Sequence, residues 1–430
     1  MPPNVILITT HDTGRHLGCY GVETFHTPNL DRLAGEGCRF TSYFTTSPLC
    51  SPSRGAMMTG RYPQTNGMLG LCHEPWNWKL NDGERHLSHL LHDAGYYTIL
   101  LGHQHETTDV DAQLCFDRND LYRDPATGAH TTCETVAEGV AEFLTGDAAD
   151  RAPFYLQVGF FETHRPFGFG GAEPDAENGV YVPPFLQDNE AARRDFAAYQ
   201  GNIRKMDAAV GSVLDALEAS GLEEDTLVIY TVDHGIPFPR AKATLYDPGL
   251  AIALIMRRPG VIDAGTTCDW LLSNVDFAPT LLDLAGVPVP ETMEGRSFAA
   301  ALRGDGEPTR KYAFASQVST GSANEIRCVR TDRYKLIRNF APCRKLATPV
   351  DITERPTAGS CPYVQLFDLK NDPLEFNDLA GDPAHAEIVG TLDDRLFAWL
   401  QEVDDPVLRG PVPTPYYEEA IAPYRRRLSR

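Results

Sequence analysis

The chain has 430 residues, of which 42% are hydrophobic and 10% aromatic, enough to bury a large core in one or two domains. Acidic residues outnumber basic ones 59 to 38, and the net charge of −21 argues against nucleic acid or an anionic membrane as a general partner. If the substrate is an anion, its pocket must be locally positive.

The sequence also predicts a compartment. No stretch approaches the roughly 20 apolar residues of a membrane span, and Met1-Pro2-Pro3 lacks the basic region of a signal peptide. The ten cysteines are scattered singly, without a Cys-x-x-Cys pair. We therefore expect a cytoplasmic protein with mostly free thiols. A homo-oligomer is compatible with the charged C-terminal segments, and no sequence feature decides it.

Four short apolar runs are rich in β-branched and aromatic residues and each leads into polar residues. They are NVILITT (4–10), YYTILLG (96–102), PFYLQVGFF (153–161) and TLVIYTV (226–232). Runs of this kind predict strands buried on both faces, as in a parallel sheet covered by helices. The amphipathic segment 199–221 predicts one such helix, which ends at Gly221.

The residues that follow these runs are the candidate functional residues. In an open parallel sheet, ligands bind beyond the carboxyl ends of the strands. The chain places metal-capable or anion-binding side chains at all four ends, namely His11, Asp12, His103, His105, His164, Asp233 and His234. Their convergence predicts a metal or anion site there.

After residues 303–306 the pattern changes. Short alternating segments separated by turn residues predict a small antiparallel sheet, and AEIVGTLDDRLFAWLQEV (386–403) predicts a closing helix. We expect a domain boundary near residue 305. It would divide the chain into a catalytic α/β domain, 1–305, and a smaller α+β domain, 306–430.

The stretch PLCSPSRG (48–55) places a cysteine where a helix starts. Pro52 is tolerated in a first turn and Gly60 can end the helix, so a helix is predicted from Ser51 through Met58. Cys50 would then lie near the N-cap, where free N–H groups suit an oxyanion and lower the pKa of a thiol. On these grounds alone, a buried structural cysteine fits equally well.

The string Cys-x-Pro-Ser-Arg followed by GAMMTGRYP resembles the signature of the formylglycine-dependent sulfatases of the alkaline phosphatase superfamily. NVILITTHD, TPNLDRLAGEGCRFTSYF, TLVIYTVDHG and LFDLKNDPLEFNDLAGDP resemble other landmarks of the family, so the similarity covers almost the whole chain. Within the family, NGMLGL and DTLVIYTVDHGIPFPRAKATLYDPG are most similar to the heparan N-sulfatase (sulfamidase) group.

The resemblance implies a large, mostly parallel sheet between helices, with a smaller antiparallel sheet. It implies that a formylglycine-generating enzyme oxidises Cys50 to an aldehyde, whose hydrate is the nucleophile. Arg54 would steady that hydrate. His105 and His164 would contact the sulfate or protonate the leaving group, and Lys242 would add a positive charge beside the small sulfated substrate.

The same resemblance implies one divalent metal ion, held by Asp12, Asp233 and partners that include the modified Cys50. The family's usual all-oxygen site suits Ca²⁺ or Mg²⁺. Here the pairs are His11-Asp12 and Asp233-His234, and imidazoles shift the preference toward Mn²⁺ or Zn²⁺. We expect His234 to be a ligand, while ligation by His11 stays open.

Three functions are compatible with these residues. Hydrolysis of a sulfate ester or a sulfamate is the leading hypothesis. The Asp233-His234 pair is also typical of the related phosphonate monoester and phosphodiester hydrolases. A catalytically silent anion-binding homologue is the third, because His11 and His103, which stands where most members carry lysine, both depart from the family pattern; the intact CSPSR string opposes it. The leaving group stays open.

Overall fold

The computed structural model describes residues 2–120, 123, 129–304, 306–318, 325–341 and 362–428. The strands of these residues are, in chain order, β1 (Asn4–Thr10), β2 (Cys38–Phe40), β3 (Tyr43–Phe44), β4 (Tyr97–Gly102), β5 (Arg118–Asp120), β6 (Phe154–Gly159), β7 (Thr226–Val232), β8 (Leu254–Arg257), β9 (Thr266–Cys268), β10 (Leu272–Ser273), β11 (Ala313–Gln317), β12 (Ile326–Arg330), β13 (Tyr334–Asn339) and β14 (Val364–Asp368).

The α-helices of the same residues pack around these strands. They are α1 (Pro28–Glu36), α2 (Cys50–Thr59), α3 (Pro63–Asn66), α4 (Leu87–Asp93), α5 (Val110–Gln113), α6 (Cys133–Thr145), α7 (Glu190–Ser220), α8 (Asp247–Leu250), α9 (Phe277–Ala285), α10 (Ala299–Leu302), α11 (Ala386–Glu402) and α12 (Pro415–Leu428). No helix in the described ranges is long and apolar enough to cross a membrane.

The large sheet has eight strands in the order β5-β4-β6-β1-β7-β8-β2-β9. The four predicted strands are β4, β6, β1 and β7. They lie next to one another in this sheet and run parallel. Every residue of β1 and β7 is buried, as their unbroken apolar runs predicted. In register, Thr9 pairs with both Gly159 and Thr231, so three carboxyl ends lie level at one edge. The predicted fold class is confirmed.

In helices α2 and α7, the residues at the helix ends explain where each helix stops or starts. Helix α2 begins at Cys50 and ends at Thr59, and the next residue, Gly60, closes it with a φ of 65°, in the left-handed region that glycine adopts readily. Helix α7 begins at Glu190, earlier than the predicted residue 199, because the side chain of Asn189 accepts a hydrogen bond from the backbone N–H of Ala192 and caps it.

The predicted small sheet is also present, as the antiparallel order β11-β12-β13-β14 with α11 packed on it. Its apolar layer is continuous with the segment after α2, since Trp399 packs edge to face on Tyr62 at 5.1 Å between ring centroids. Residue 305, the expected boundary, lies outside the described residues, so the division into 1–305 and 306–430 stays a prediction.

A buried ion pair helps to hold the small sheet against the segment that follows α2. Arg327 of β12 donates to both carboxylate oxygens of Asp405, at 2.6 and 2.8 Å, and neither side chain is exposed. Gln64 of α3 donates to the same carboxylate at 2.9 Å. Asp405 therefore joins the small sheet to the short helix that follows α2.

Replacing Arg327 should destabilise the whole protein, because Arg327→Ala leaves the Asp405 carboxylate buried without its cation. We expect a loss of about 3–5 kcal/mol of unfolding free energy. The matched control is Glu402→Ala, which breaks the partly exposed Arg395–Glu402 pair and should cost less than about 1 kcal/mol. Denaturant unfolding of both variants measures the difference. Equal losses of unfolding free energy would show that the Arg327–Asp405 pair does not hold the small sheet in place.

Candidate active site

Two buried carboxylates lie at the carboxyl ends of adjacent strands. Asp12 follows β1 and Asp233 follows β7, and both are buried. The backbone N–H of Asp12 donates to Oδ1 of Asp233 at 2.9 Å. Asp12 has a φ of 47°, in the left-handed region that aspartate tolerates, and its carbonyl accepts a hydrogen bond from the Tyr199 hydroxyl at 2.6 Å. The turn after β1 thus holds the two carboxylates together.

Fixed cations face both carboxylates. Lys242 Nζ donates to both oxygens of Asp12, at 2.9 and 2.8 Å. Arg54 Nε donates to Oδ2 of Asp233 at 3.2 Å. Burial alone would raise the pKa of Asp12, but Lys242 and His234 outweigh it and hold that pKa well below its usual value. For Asp233, burial is likewise outweighed by His234, His11 and Arg54, which lower its pKa. Both aspartates are therefore charged.

The imidazoles of His11 and His234 lie against Asp12 and Asp233. These four residues are called the inner group. His234 donates through Nδ1 to the carbonyl of Gly235 at 2.9 Å, which leaves Nε2 at 3.0 Å from Oδ1 of Asp12. His11 places Nδ1 at 2.8 Å from Oδ2 of Asp233. Burial would lower both pKa values, but the aspartates raise the pKa of His234 well above its ordinary value and that of His11 to about 10. Both imidazoles therefore add positive charge beside the two aspartates.

Cys50 lies against the same group. Its Sγ is 3.3 Å from Nε2 of His234, and the residue is 2% exposed. Burial would raise its pKa, but Lys242 and His234 lower it well below the ordinary thiol value. Cys50 and Arg54 are four residues apart on α2 and so share one face of that helix. The Cys-x-Pro-Ser-Arg spacing therefore presents a thiol and a guanidinium to one site.

The inner group has the chemistry of a divalent metal site. One potential ligand atom each from His11, Asp12, Cys50 and Asp233 lies within 4.8 Å of the other three. His234 Nε2 borders the same space through Asp12 and Cys50. A dication placed here would meet two charged carboxylates and an imidazole fixed through its other nitrogen, as metal-binding histidines usually are. The residues fit such an ion.

Beyond the inner group lies a cavity of about 370 Å³ with an imidazole-rich wall. The predicted residues His103, His105 and His164 line it together with His11. Burial lowers the pKa of each of these first three histidines. His164 donates through Nδ1 to the carbonyl of Arg165 at 2.6 Å. The structure therefore brings every predicted site residue to one edge of the sheet.

Two cavity histidines are absent from the sequence prediction. His73 stacks on His105, with ring centroids 5.2 Å apart and planes 3° from parallel. His130 stacks on Phe161 at 3.9 Å. His73 lies in the loop after α3, close in sequence to the CSPSR motif, and this closeness could have suggested it as a site residue. No sequence signal marks His130, because it reaches the cavity only through the tertiary fold.

Comparisons with known proteins agree with this geometry. The sulfatase family profile matches residues 3–287, and the profile of the N-sulphoglucosamine sulphohydrolase C-terminal region matches residues 238–358. Human N-sulphoglucosamine sulphohydrolase is 30% identical, over 95% of this chain and 92% of that protein. An ulvan-active sulfatase from Formosa agariphila is 29% identical, over 94% of this chain and 75% of that protein.

A solved structure extends the agreement to the fold. BT4656, in complex with its substrate D-glucosamine-2-N,6-O-disulfate, superposes with a TM-score of 0.76 at 21% identity, over 96% of this chain and 99% of that chain. The family match spans more than half of the chain and includes both strands that carry the aspartates. The chain therefore belongs to the sulfatase family of sulfate ester hydrolases.

Proposed function

We propose that the protein hydrolyses a small sulfated sugar, with N-sulfated glucosamine as the first candidate, by means of a formylglycine made from Cys50 and a divalent metal ion. The observation that carries this is the position of Cys50 at the start of a buried helix, 3.3 Å from Nε2 of His234 and beside two charged carboxylates. A nucleophile placed there meets both a metal site and an anion cavity.

The nucleophile requires maturation of Cys50 by a formylglycine-generating enzyme. The hydrate of the aldehyde supplies two oxygens, one to attack sulfur and one to expel sulfate afterwards. Around that position, Arg54 and Lys242 contribute fixed positive charge, and both are held in place by the two aspartates. Their charge favours the ionised form of the attacking oxygen and attracts the sulfate group.

The metal ion would be held by Asp12, Asp233 and His234, with the Cys50 position as a further ligand. It supplies Lewis acidity toward the nucleophile and the sulfate oxygens. Asp12 and Asp233 offer the oxygen ligands that every divalent ion accepts, whereas His234 offers nitrogen, which favours Mn²⁺ or Zn²⁺ over Ca²⁺ or Mg²⁺. His11 directs Nδ1 to Asp233, so we assign it an orienting role in this site.

Proton transfer to the leaving group falls to His164. Its Nδ1–H is engaged with the carbonyl of Arg165, so only Nε2 can exchange a proton within the cavity. His164 lies on the cavity wall, with its ring centroid 5.2 Å from that of His11. A positioned imidazole of this kind contributes about 10²–10⁴-fold to the rate when the leaving group is a poor one.

The sugar is proposed from the relatives. The human relative is named for N-sulphoglucosamine, and BT4656 is bound to an N-sulfated and O-sulfated glucosamine. By resemblance to the sulfamidase group, the segment SQVSTGSANEIRCVRTDRYK (316–335) would face the sugar, but its sequence differs distinctly from that group, and its residues 319–324 lie outside the described residues. Sulfated phenols and alkyl sulfates therefore belong in the same test.

The substrate class is tested by comparing kcat/KM on glucosamine N-sulfate, an aryl sulfate, an alkyl sulfate and an aryl phosphonate monoester, using protein made together with the maturation enzyme. We expect the sulfated compounds to be preferred, with the sulfamate first. The control Cys50→Ala should lose about 10³-fold or more on the same compounds. A preference for the phosphonate, which the Asp233-His234 pair would favour, contradicts the proposal, as does activity that survives in Cys50→Ala.

The metal preference is tested by His234→Asn, which exchanges the nitrogen ligand for an amide oxygen. We expect the wild-type protein to be stabilised most by Mn²⁺ or Zn²⁺ and the variant to shift toward Ca²⁺ or Mg²⁺. Thermal midpoints of the metal-stripped protein with each ion provide the measurement. His92→Asn changes an exposed histidine on α4 and serves as the control; an unchanged order of ions in His234→Asn would remove His234 from the site.

A further inference from the structure

Arg165 lies between the histidine assigned as the proton donor and the segment that carries Lys242. Its carbonyl accepts the Nδ1–H of His164 at 2.6 Å. Its Nε donates to the carbonyl of Pro237 at 2.8 Å, in the segment between β7 and α8. We propose that Arg165 is a positioning residue, which sets the direction in which His164 presents Nε2 to the leaving group. The proposal rests on the proposed function and extends it to the leaving-group step.

The long helix α7 fixes the guanidinium of Arg165. Nη1 donates to Oδ1 of Asp195 at 3.2 Å, and Nη2 donates to Oδ2 of the same carboxylate. Asp195 lies in the second turn of α7. Because two parallel N–H···O bonds set the orientation of a guanidinium as well as its distance, the helix determines where the Arg165 side chain points.

Two aromatic rings restrain the same group. The guanidinium carbon of Arg165 lies 4.4 Å from the ring centroid of Phe167 and 4.7 Å from that of Phe238. Both distances are within the range of about 6 Å over which a cation is attracted to an aromatic ring. Phe238 in turn stacks on Phe196 of α7 at 3.9 Å, with planes 8° from parallel. A lysine at position 165 would keep the charge but lose the fork and the planar contact.

The segment that Arg165 contacts is also connected to the inner group. The backbone N–H of Lys242 donates to the carbonyl of Ile236 at 3.1 Å, one residue before Pro237. Lys242 Nζ donates to both carboxylate oxygens of Asp12. One guanidinium therefore joins the proton donor, after β6, to the charged group at the end of β1. Loss of that guanidinium would release the proton donor while the contacts of the inner group itself remain.

The direction of the His164 ring matters for one chemical step. With Nδ1–H bonded to the carbonyl of Arg165, the ring exchanges a proton with a substrate only through Nε2. When the S–O or S–N bond breaks, its electron pair goes to the leaving atom, which takes the proton from Nε2, and the Nδ1 proton stays where it is. If the Arg165 backbone moves, Nε2 no longer faces the leaving atom, which must depart without the proton.

This role has a kinetic signature that a general loss of structure does not share. Without proton donation, the rate falls steeply as the pKa of the leaving group rises, because a more basic leaving atom is harder to expel. Proton donation flattens that dependence. Damage that acts elsewhere lowers the rate on every substrate by a similar factor.

The test is the dependence of kcat/KM on the leaving group, measured with nitrophenyl sulfate, phenyl sulfate and an alkyl sulfate on protein matured at Cys50. For Arg165→Ala we expect a loss of less than about 3-fold on nitrophenyl sulfate and of about 10-fold or more on the alkyl sulfate, mainly in kcat. The control is Arg193→Ala, which breaks the exposed ion pair with Asp188 beside the same helix and should change neither rate.

A double-mutant cycle shows whether the residue acts through the histidine. In a His164→Ala background, Arg165→Ala should cause no further loss on the alkyl sulfate. Arg165→Lys should resemble Arg165→Ala, since it keeps only the charge. Asp195→Asn should change the dependence in the same direction by less, because the contact with Pro237 remains. It also replaces Arg165→Ala in the test if that variant does not fold by circular dichroism.

Three results would overturn the proposal. They are an equal loss on all three sulfates, a further loss in the His164→Ala background, and a rise in KM alone, which would place Arg165 in contact with the substrate. Failure of the proposed function is distinguishable from these, since the wild-type protein would then hydrolyse none of the sulfates, and the role of Arg165 would fall with it.

Discussion

Asp12 and Asp233 are two charged carboxylates buried side by side, and the arrangement around them follows from the need to compensate that charge. Burying an uncompensated carboxylate costs several kcal/mol. Arg54 faces Asp233, and Lys242 faces Asp12. Because Arg54 stands on the same helix face as Cys50, the charge requirement of the strands also fixes the position of the thiol.

Buried charges are also compensated between the small sheet and the segment that carries Lys242. Lys242 belongs to the segment between β7 and α8, and Asp247 at the start of α8 is bound by Lys335 of the small sheet at 2.5 Å. Lys335 is buried and also pairs with Glu375 at 2.7 Å. This buried network braces the segment that carries Lys242. The small sheet is thereby connected to the site, although the described residues that line the cavity all lie between His11 and His164.

The sequence predicted the parts of the site that depend on strong local patterns. The runs of β1, β4, β6 and β7 are apolar on both faces, a pattern typical of the central strands of a parallel sheet. Their polar ends then had to meet at one edge, as they do. The start of α2 was predicted to within one residue, at Ser51, since Pro52 and Gly60 frame the helix; the helix begins at Cys50.

Features that depend on tertiary contacts were not predictable in this way. Strands β2, β8 and β9 extend the sheet as short segments with weak patterns of their own. His73 and His130 line the cavity only because loops far apart in sequence fold against His105 and Phe161. The orientation of His11 also depends on the tertiary fold, because its ring could have faced either the carboxylates or the cavity. It does both, since Nδ1 lies 2.8 Å from Oδ2 of Asp233 and the residue lines the cavity.

The central claim is that Cys50 is the precursor of the nucleophile. The most direct measurement is the mass of the peptide spanning Cys50, from protein produced together with a formylglycine-generating enzyme and left unalkylated until analysis. The account predicts conversion of the thiol to an aldehyde, seen as the corresponding loss of mass and as reaction with a hydrazide probe. A Cys50 that remains a thiol under those conditions would contradict it.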